Sequence, residues 1–356
     1  MNRILITGGA GFIGSHTASL LLEKGFDLII VDSFANSSKL FLEKIFTLFK
    51  KIDEKYEERI KFIECDIRNF NKLNNVFQES INEGKPINSV IHFAGLKSVS
   101  ESVENPLQYW DANVNGSINL FKVMAIYNCK TIVFSSSATV YGTSDNKLLT
   151  EDAEIKPKNP YGESKLIIEK ILNSLYISDK ENWKIANLRY FNPIGAHESG
   201  LIGECPNGVP SNLFPFITQV AIGKRSSLRV YGRDWPTKDG TAIRDYIHVM
   251  DLAEGHLSAL NYLESQDGIF TNLNLGTSKG TTVLELVRTF EKVNNCKIPF
   301  DYVDRRPGDV AISVADNTKA INILNWEPHR NIEKMCIDGW FWEKNINDLK
   351  LTFDKF

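Results

Sequence analysis

Met1-Asn-Arg-Ile-Leu-Ile-Thr7-Gly8-Gly9-Ala10-Gly11-Phe12-Ile13-Gly14 opens the chain, and its reading decides the fold. Ile4 to Ile6 make a short apolar run, the pattern of a buried strand. Gly9, Gly11 and Gly14 then keep a G-x-G-x-x-G spacing, with Gly8 just before it, and a helical pattern follows through Leu22. Glycines in such a turn permit a tight reversal, close approach of backbone to a pyrophosphate, and close packing of helix on strand. A second apolar run, Leu28-Ile-Ile-Val31, ends at Asp32, where a carboxylate can accept from a ribose 2′-hydroxyl. A glycine pattern alone is weak, but here it follows a strand, opens a helix and leads to a strand ending in an acid. Asp32 would repel a 2′-phosphate, so the expected dinucleotide is NAD over NADP.

Outward from this turn, strand and helix patterns alternate. Strands are expected at 3–7, 27–31, 60–64, 88–93, 130–135 and 184–190, and helices at 12–24, 38–55, 70–83, 106–127 and 161–177. Such alternation predicts an α/β fold, a doubly wound parallel sheet covered on both faces. After Asn192 the texture changes to Pro, Gly and short apolar runs, with helical patterns near 213–222, 251–263, 282–294 and 331–344. The expected division is a dinucleotide-binding domain over 1–191. A smaller mixed α/β substrate domain over 192–356 returns in part to the main sheet. The helical excursion near 38–58 suggests no chemistry.

Charge excludes some partners. The chain has 41 basic and 44 acidic residues, a net charge of −3, and no large basic run. Nucleic acid and anionic membrane are therefore not expected partners. No apolar run approaches the roughly 18 residues of a membrane span, and Met1 leads straight into a strand, so the expected location is the cytoplasm. Five cysteines without C-x-x-C spacing fit reduced thiols. Six histidines without ligand spacing predict no metal site, and His248 and His256 are read as structural.

The segment Asn159-Pro-Tyr-Gly-Glu-Ser-Lys165 predicts a helix start, with Asn159 as N-cap and Pro160 in the first position. Tyr161 and Lys165 then share one face. A nearby ammonium and the positive helix end both favour a phenolate, so Tyr161 is a candidate base near neutral pH. Taken alone, the pair is a short motif that recurs by accident. A strand at 130–134 runs into Ser135-Ser136-Ser137, placing hydroxyls at the carboxyl end where an open α/β sheet binds ligands.

Thr7-Gly-Gly-Ala-Gly-Phe-Ile-Gly14, Ser135-Ser-Ser-Ala-Thr-Val-Tyr-Gly142 and Tyr161-x-x-x-Lys165 together resemble the extended short-chain dehydrogenase/reductase family, with its Rossmann-like fold. His92-Phe-Ala-Gly-Leu-Lys97, Arg189-Tyr-Phe-Asn-Pro193 and Gly240-Thr-Ala-Ile-Arg-Asp-Tyr-Ile-His248 narrow the resemblance to the UDP-glucose 4-epimerase family, over residues 3 to about 344. The resemblance implies Ser137 as catalytic hydroxyl, Tyr161 as base, and Lys165 as its partner and a ribose ligand. It implies a cofactor site for NAD at Gly8, Gly11, Phe12, Ile13, Gly14, Asp32, Asn36, Asp66, Ile67, Phe93, Ala94, Gly95, Lys97 and Phe191. It implies a UDP-sugar site at Asn192, Asn212, Leu213, Tyr231, Arg244, Arg306, Asp309 and Ser313. The family often carries Asn where this chain has Ala112, which puts that one cofactor contact in doubt. Arg244 and Arg306 suit a diphosphate because a guanidinium offers paired donors.

The implied activity is inversion of the sugar at C4 through a 4-keto form, with NAD kept bound. Small, polar Ser313 implies room for an N-acetyl group at C2. A nucleotide-sugar 4,6-dehydratase would need an acid and base beside the catalytic hydroxyl, an Asp-Glu pair in that family, whereas this chain has Ala138-Thr139. A non-catalytic NAD-binding regulator would be expected to lose Tyr161, Lys165 or the serines. Apolar stripes over 106–127 and 161–177 predict a homodimer through a four-helix contact, as the resembled family forms.

Overall fold

A computed structural model describes residues 2–36, 39–142, 148–205, 210, 212–306 and 309–353. Position 38, where the second expected helix begins, lies outside the described residues, as do Pro307 and Gly308 beside Arg306.

The alternating pattern folds as a continuous parallel sheet. Its strands are β1 (Arg3–Thr7), β2 (Asp27–Asp32), β3 (Ile60–Glu64), β4 (Ile87–His92), β5 (Thr131–Ser137) and β6 (Lys184–Tyr190). Beyond them come β7 (Asn192–Ile194), β8 (Leu228–Tyr231), β9 (Ile243–His248), β10 (Ile269–Leu275), β11 (Gly280–Thr282), β12 (Phe300–Val303) and β13 (Ile312–Ser313). The main sheet runs β10-β6-β5-β4-β1-β2-β3, every pair parallel. The order reverses between β1 and β4, and in such sheets the crevice at the reversal receives ligands.

β1 explains why its sequence is unbroken apolar. Ile4 and Ile6 face a core shared with Leu21 of the helix Phe12–Glu23 and Leu252 of the helix Val249–Glu264. Leu5 faces the opposite core, with Leu120, Phe121, Ile168 and Leu172. Both faces are covered, so alternation gives way to a continuous run. Each such fully buried side chain stabilises by about 1.5–3 kcal/mol.

The expected helix over 106–127 is not one regular helix. It comprises Pro106–Tyr109, a wider π-helical turn over Trp110–Asn115, and Gly116–Ile126. Side-chain tethering accounts for the irregularity. Asn113 accepts from Leu96 N–H at 2.7 Å and donates to Leu96 O at 3.1 Å, while Gly116 sits so close to Ile67 that a Cβ would come within 2.8 Å of it.

Past Asn192 the chain builds a four-stranded sheet, β11-β9-β13 with β7 also on β9, and a parallel pair, β12-β8. β10 lies in the main sheet beside β6.

Candidate active site

The carboxyl ends of β1, β2, β4 and β5 open into a cavity of about 700 Å³. Gly8, Gly11, Phe12, Ile13, Gly14, Asp32, Asn36, Asp66, Ile67, Phe93, Ala94, Gly95, Lys97, Ser137, Tyr161, Lys165 and Phe191 all line it, with Asn192 and Asn212. Ala112, the departure noted above, lines it too.

The glycine turn is packed so tightly that side chains are excluded. Gly8 has φ +71°, and a Cβ there would lie 2.7 Å from Ala94 N; one on Gly14 would lie 2.3 Å from Gly8 O. Gly9 faces the core instead, against Ile30. Asp32 holds the turn by accepting from Ala10 N–H at 2.9 Å and Phe34 N–H at 2.8 Å. Gly11 caps the following helix without any side-chain hydrogen bond, so the helix's first N–H groups are left to the cavity. A glycine cradle, uncapped helix donors and a carboxylate at the end of β2 fit a dinucleotide.

His92 fastens the neighbouring loop. Its Nδ1 pairs with Thr7 Oγ1 at 2.6 Å and its Nε2 with Ser117 Oγ at 2.9 Å. Burial pushes its pKa down to about 3, so it is a neutral tether.

The catalytic candidates meet on one wall. Asn159 Oδ1 accepts from Gly162 N–H at 2.9 Å, Pro160 follows, and the helix runs Pro160–Ser178. Tyr161 and Ser137 line the cavity together, and Ser137 stands near enough to act on the Tyr161 hydroxyl, lowering its pKa. Thr139 Oγ1 donates to Ser137 Oγ at 3.0 Å. Buried Lys165 donates to Ser135 O at 2.8 Å, and its Nζ lies 5.9 Å from the centre of the Tyr161 ring.

Here one expectation is corrected. Lys165 and the helix start do not by themselves draw Tyr161 toward neutrality. Enclosure raises its pKa above the ordinary 10.0, against the opposing effect of Ser137. Lys165 is committed to a carbonyl, and the same enclosure pushes its own pKa down to about 8, opposed by Glu169 one turn on.

The remaining substrate candidates stand elsewhere. Leu213, Tyr231, Arg244, Arg306, Asp309 and Ser313 are not among the residues lining this cavity. Arg306 stacks on Tyr231, its guanidinium carbon 3.8 Å from the ring centre. Arg244 donates through Nη1 to the carbonyls of Ile243 and Val310, both at 2.9 Å, and pairs with Asp309 at 3.4 Å. Ser313 pairs with Arg244 in the β13-β9 register. The Arg244 fork is thus already engaged, because an unpaired guanidinium in a half-buried place would lose hydration, whereas the Arg306 guanidinium is exposed and lies over the Tyr231 ring.

Three residues with no role assigned from the sequence shape the site. Thr139 orients Ser137, and Asn113 ties Leu96 to Ser164, to which it donates at 3.1 Å. Glu204 pairs with Lys97 across the cavity. Asn113 had a visible signal in its place beside Ala112, and Thr139 in its place two residues after Ser137; Glu204 had none.

A glycine turn at a sheet reversal, with a Tyr-Ser contact and a lysine one helical turn on, defines an extended short-chain dehydrogenase/reductase. The family model described as GDP-mannose 4,6 dehydratase matches residues 5–338. The UDP-glucose 4-epimerase of Bacillus subtilis is 49% identical over 348 residues, 98% of each chain. A crystal structure of UDP-glucose 4-epimerase from Stenotrophomonas maltophila, with bound NAD and formylated UDP-arabinopyranose, superposes with a TM-score of 0.91 at 43% identity, covering 98% of this chain and 100% of that one. The Bifidobacterium longum UDP-glucose 4-epimerase in complex with NAD+ and UDP gives 0.89 at 44%, covering 98% and 99%. The chain belongs to the UDP-glucose 4-epimerase family.

Proposed function

We propose that this protein is an NAD-dependent isomerase that interconverts UDP-glucose and UDP-galactose by inverting C4. The observation that carries the reading is that Tyr161, Ser137 and Lys165 together line a glycine-cradled cavity, with the Lys165 Nζ 5.9 Å from the centre of the Tyr161 ring. Gly8, Gly11, Gly14 and Asp32 hold the dinucleotide. When bound, NAD supplies the hydride acceptor for C4 and a positive charge in the cavity. Tyr161 takes the proton of the sugar's 4-hydroxyl, with Ser137 sharing it, and returns it to the opposite configuration. Lys165 holds its ammonium beside the site. The 4-keto sugar must turn over between the two transfers, so binding energy belongs on the nucleotide, away from the reacting centre. Asn192, Asn212, Leu213, Tyr231, Arg244, Arg306 and Asp309 supply that grip.

Dehydration is the reading named by the family model. Ala138 and Thr139 follow the catalytic serine, and neither can act as the acid or base that elimination needs; Thr139 is spent on orienting Ser137. Epimerisation is therefore favoured.

The reading extends to N-acetylhexosamine sugars through Ser313, and to a homodimer in the cytoplasm. Leu107, Ile126 and Ile177 are exposed on the two helical segments expected to meet a second copy. Among the described residues no helix is long and apolar enough to cross a membrane, and no three His, Cys, Asp or Glu residues group as metal ligands. Residues 1–191 would serve mainly the cofactor and 192–356 mainly the sugar nucleotide.

The test is to incubate pure protein with UDP-galactose and no added NAD. UDP-glucose is expected. A 4-keto-6-deoxy product would establish a dehydratase, and no turnover with NAD bound would establish a regulator. A monomer mass by light scattering at micromolar concentration would remove the dimer.

A further inference from the structure

Glu204 is an acid on the wall of a cavity read as taking diphosphates. Its carboxylate is one-tenth exposed. Oε1 accepts from Lys97 Nζ at 2.7 Å and from Asn212 Nδ2 at 3.1 Å. Both donors are candidate ligand residues, one from the loop after β4 and one from the start of the helix Leu213–Ala221. The backbone of Glu204 is fixed independently: its carbonyl accepts from Trp342 Nε1 at 3.1 Å, and Gly203 beside it packs so closely that a Cβ would meet Trp342 at 2.3 Å. The side chain is thus aimed across the cavity from a rigid base.

We infer that the Glu204 carboxylate occupies the place of a diphosphate oxygen, satisfying Lys97 and Asn212 until an anionic ligand displaces it. The inference rests on the reading of the cavity as a diphosphate site. One ammonium cannot serve a carboxylate and a phosphate equally, since the two anions repel at such range. The pair therefore opposes ligand entry by the charge it neutralises, and keeps Lys97 placed meanwhile. The same chemistry could come from the dinucleotide or from the nucleotide sugar, and the two have separate readouts.

The experiment measures by calorimetry Kd for NAD, on protein freed of retained cofactor, and for UDP and UDP-galactose, on NAD-bound protein, with wild type and Glu204→Gln, at low salt and at about 0.5 M salt. The variant is expected to bind one of the two diphosphates about three- to tenfold more tightly at low salt, with the gain shrinking at high salt. Tighter UDP identifies the nucleotide sugar as the displacing ligand, and tighter NAD the dinucleotide. Unchanged or weaker binding of both overturns the proposal, as does weaker UDP-galactose with UDP unmoved, which would make Glu204 a sugar ligand. A wild type that binds neither diphosphate overturns the epimerase reading and this proposal with it. Should Glu204→Gln not fold, a crystal structure of the wild type with NAD and UDP decides. Lys97 and Glu204 more than 4 Å apart support the proposal, and an intact pair overturns it.

Discussion

The glycine-cradled cavity and the arginine cluster around Arg244 and Arg306 are built by opposite means. The cavity stands on the ends of long parallel strands, and most of its residues are placed by backbone: Asp32 ends β2, Ser137 ends β5, Gly8 follows β1. Its side chains are then fixed by neighbours from adjacent strands, as Thr7 by His92. The cluster stands on β8, β9, β12 and β13, strands of four, six, four and two residues, and on the loops between them. Its geometry comes from side chains meeting across long sequence separations, such as Arg244 and Asp309. Backbone placement leaves chemistry in position before a ligand arrives. Side-chain placement leaves groups engaged with one another until a ligand takes them.

If that contrast is right, the largest single effect belongs to the cavity. Tyr161→Phe is expected to lower turnover by about 10²–10⁴ while bound NAD is retained, because it removes the proton acceptor and nothing of the cradle. Turnover and the absorbance of retained cofactor, measured on one preparation, separate the two. Turnover within a few-fold of wild type would remove Tyr161 from the mechanism.

Stability sharpens the same comparison. Behind the catalytic wall Arg189 makes a bidentate pair with Glu169, at 3.0 and 2.7 Å, both side chains at most 5% exposed, and Ser136 donates to the same carboxylate. Glu169→Gln leaves a buried guanidinium without its counter-charge and should cost about 3–5 kcal/mol. In the cluster, Asp309 is one-third exposed and 3.4 Å from Arg244, so Asp309→Asn should cost about 0–1 kcal/mol. Urea midpoints of the two variants test both figures. Similar losses would mean that the cluster is as preassembled as the cavity.

The legibility of the sequence follows the same line. The turn at Gly8 to Gly14, the strand ending at Asp32 and the Asn159 cap were readable because local patterns set them. The π-helical turn over 110–115 was not, since its cause is Asn113 reaching Leu96 in a loop seventeen residues back. Nothing local in the sequence marks Glu169 and Arg189 as partners; only the fold buries them together. The direction of the Tyr161 pKa was misread because spacing shows which residues are neighbours, and burial, which outweighed them, leaves no local pattern. Glu204 carried no signal at all, its partners being 107 and 8 residues away.

A smaller effect is expected in the pH dependence of Lys165, whose pKa falls from 10.5 to about 8 through burial of the ammonium. Below pH 8 the folded chain carries that buried charge in full. From about 8 to 10.5 the unfolded chain binds more protons than the folded one, so this group's contribution makes stability rise with pH in that window. Activity should move the other way, since loss of the ammonium above about pH 8 removes the charge beside Tyr161. Denaturation profiles of the ligand-free chain and kcat/KM profiles of the NAD-bound protein, each compared with Lys165→Met, check this, and the variant should lose both limbs. A wild-type alkaline limb that survives in Lys165→Met would assign it to another group.

The smallest change in the principal reaction is expected from Ser313, and it probes the cluster rather than the cavity. Ser313 is half-buried at the end of β13, opposite Arg244 on β9. The same β9 pairs farther along with Asn192 of β7, which lines the cavity, so one short sheet joins the proposed gate to the reacting side. A ring at position 313 would fill space that serine leaves beside Arg244, without touching the Tyr161–Ser137 contact. Ser313→Tyr should therefore leave UDP-galactose turnover within about threefold, the range of a substitution that breaks no packed or paired group. The same change should lower N-acetylhexosamine turnover by about 10–200-fold, the scale on which a filled pocket excludes a small added group. Assays of both sugar pairs with both proteins give the split. Wild type inactive on the N-acetyl sugars would show that another side chain sets the pocket. Equal losses on both sugars would show that the cluster reaches the reacting centre, and the division drawn between the two regions would fail there.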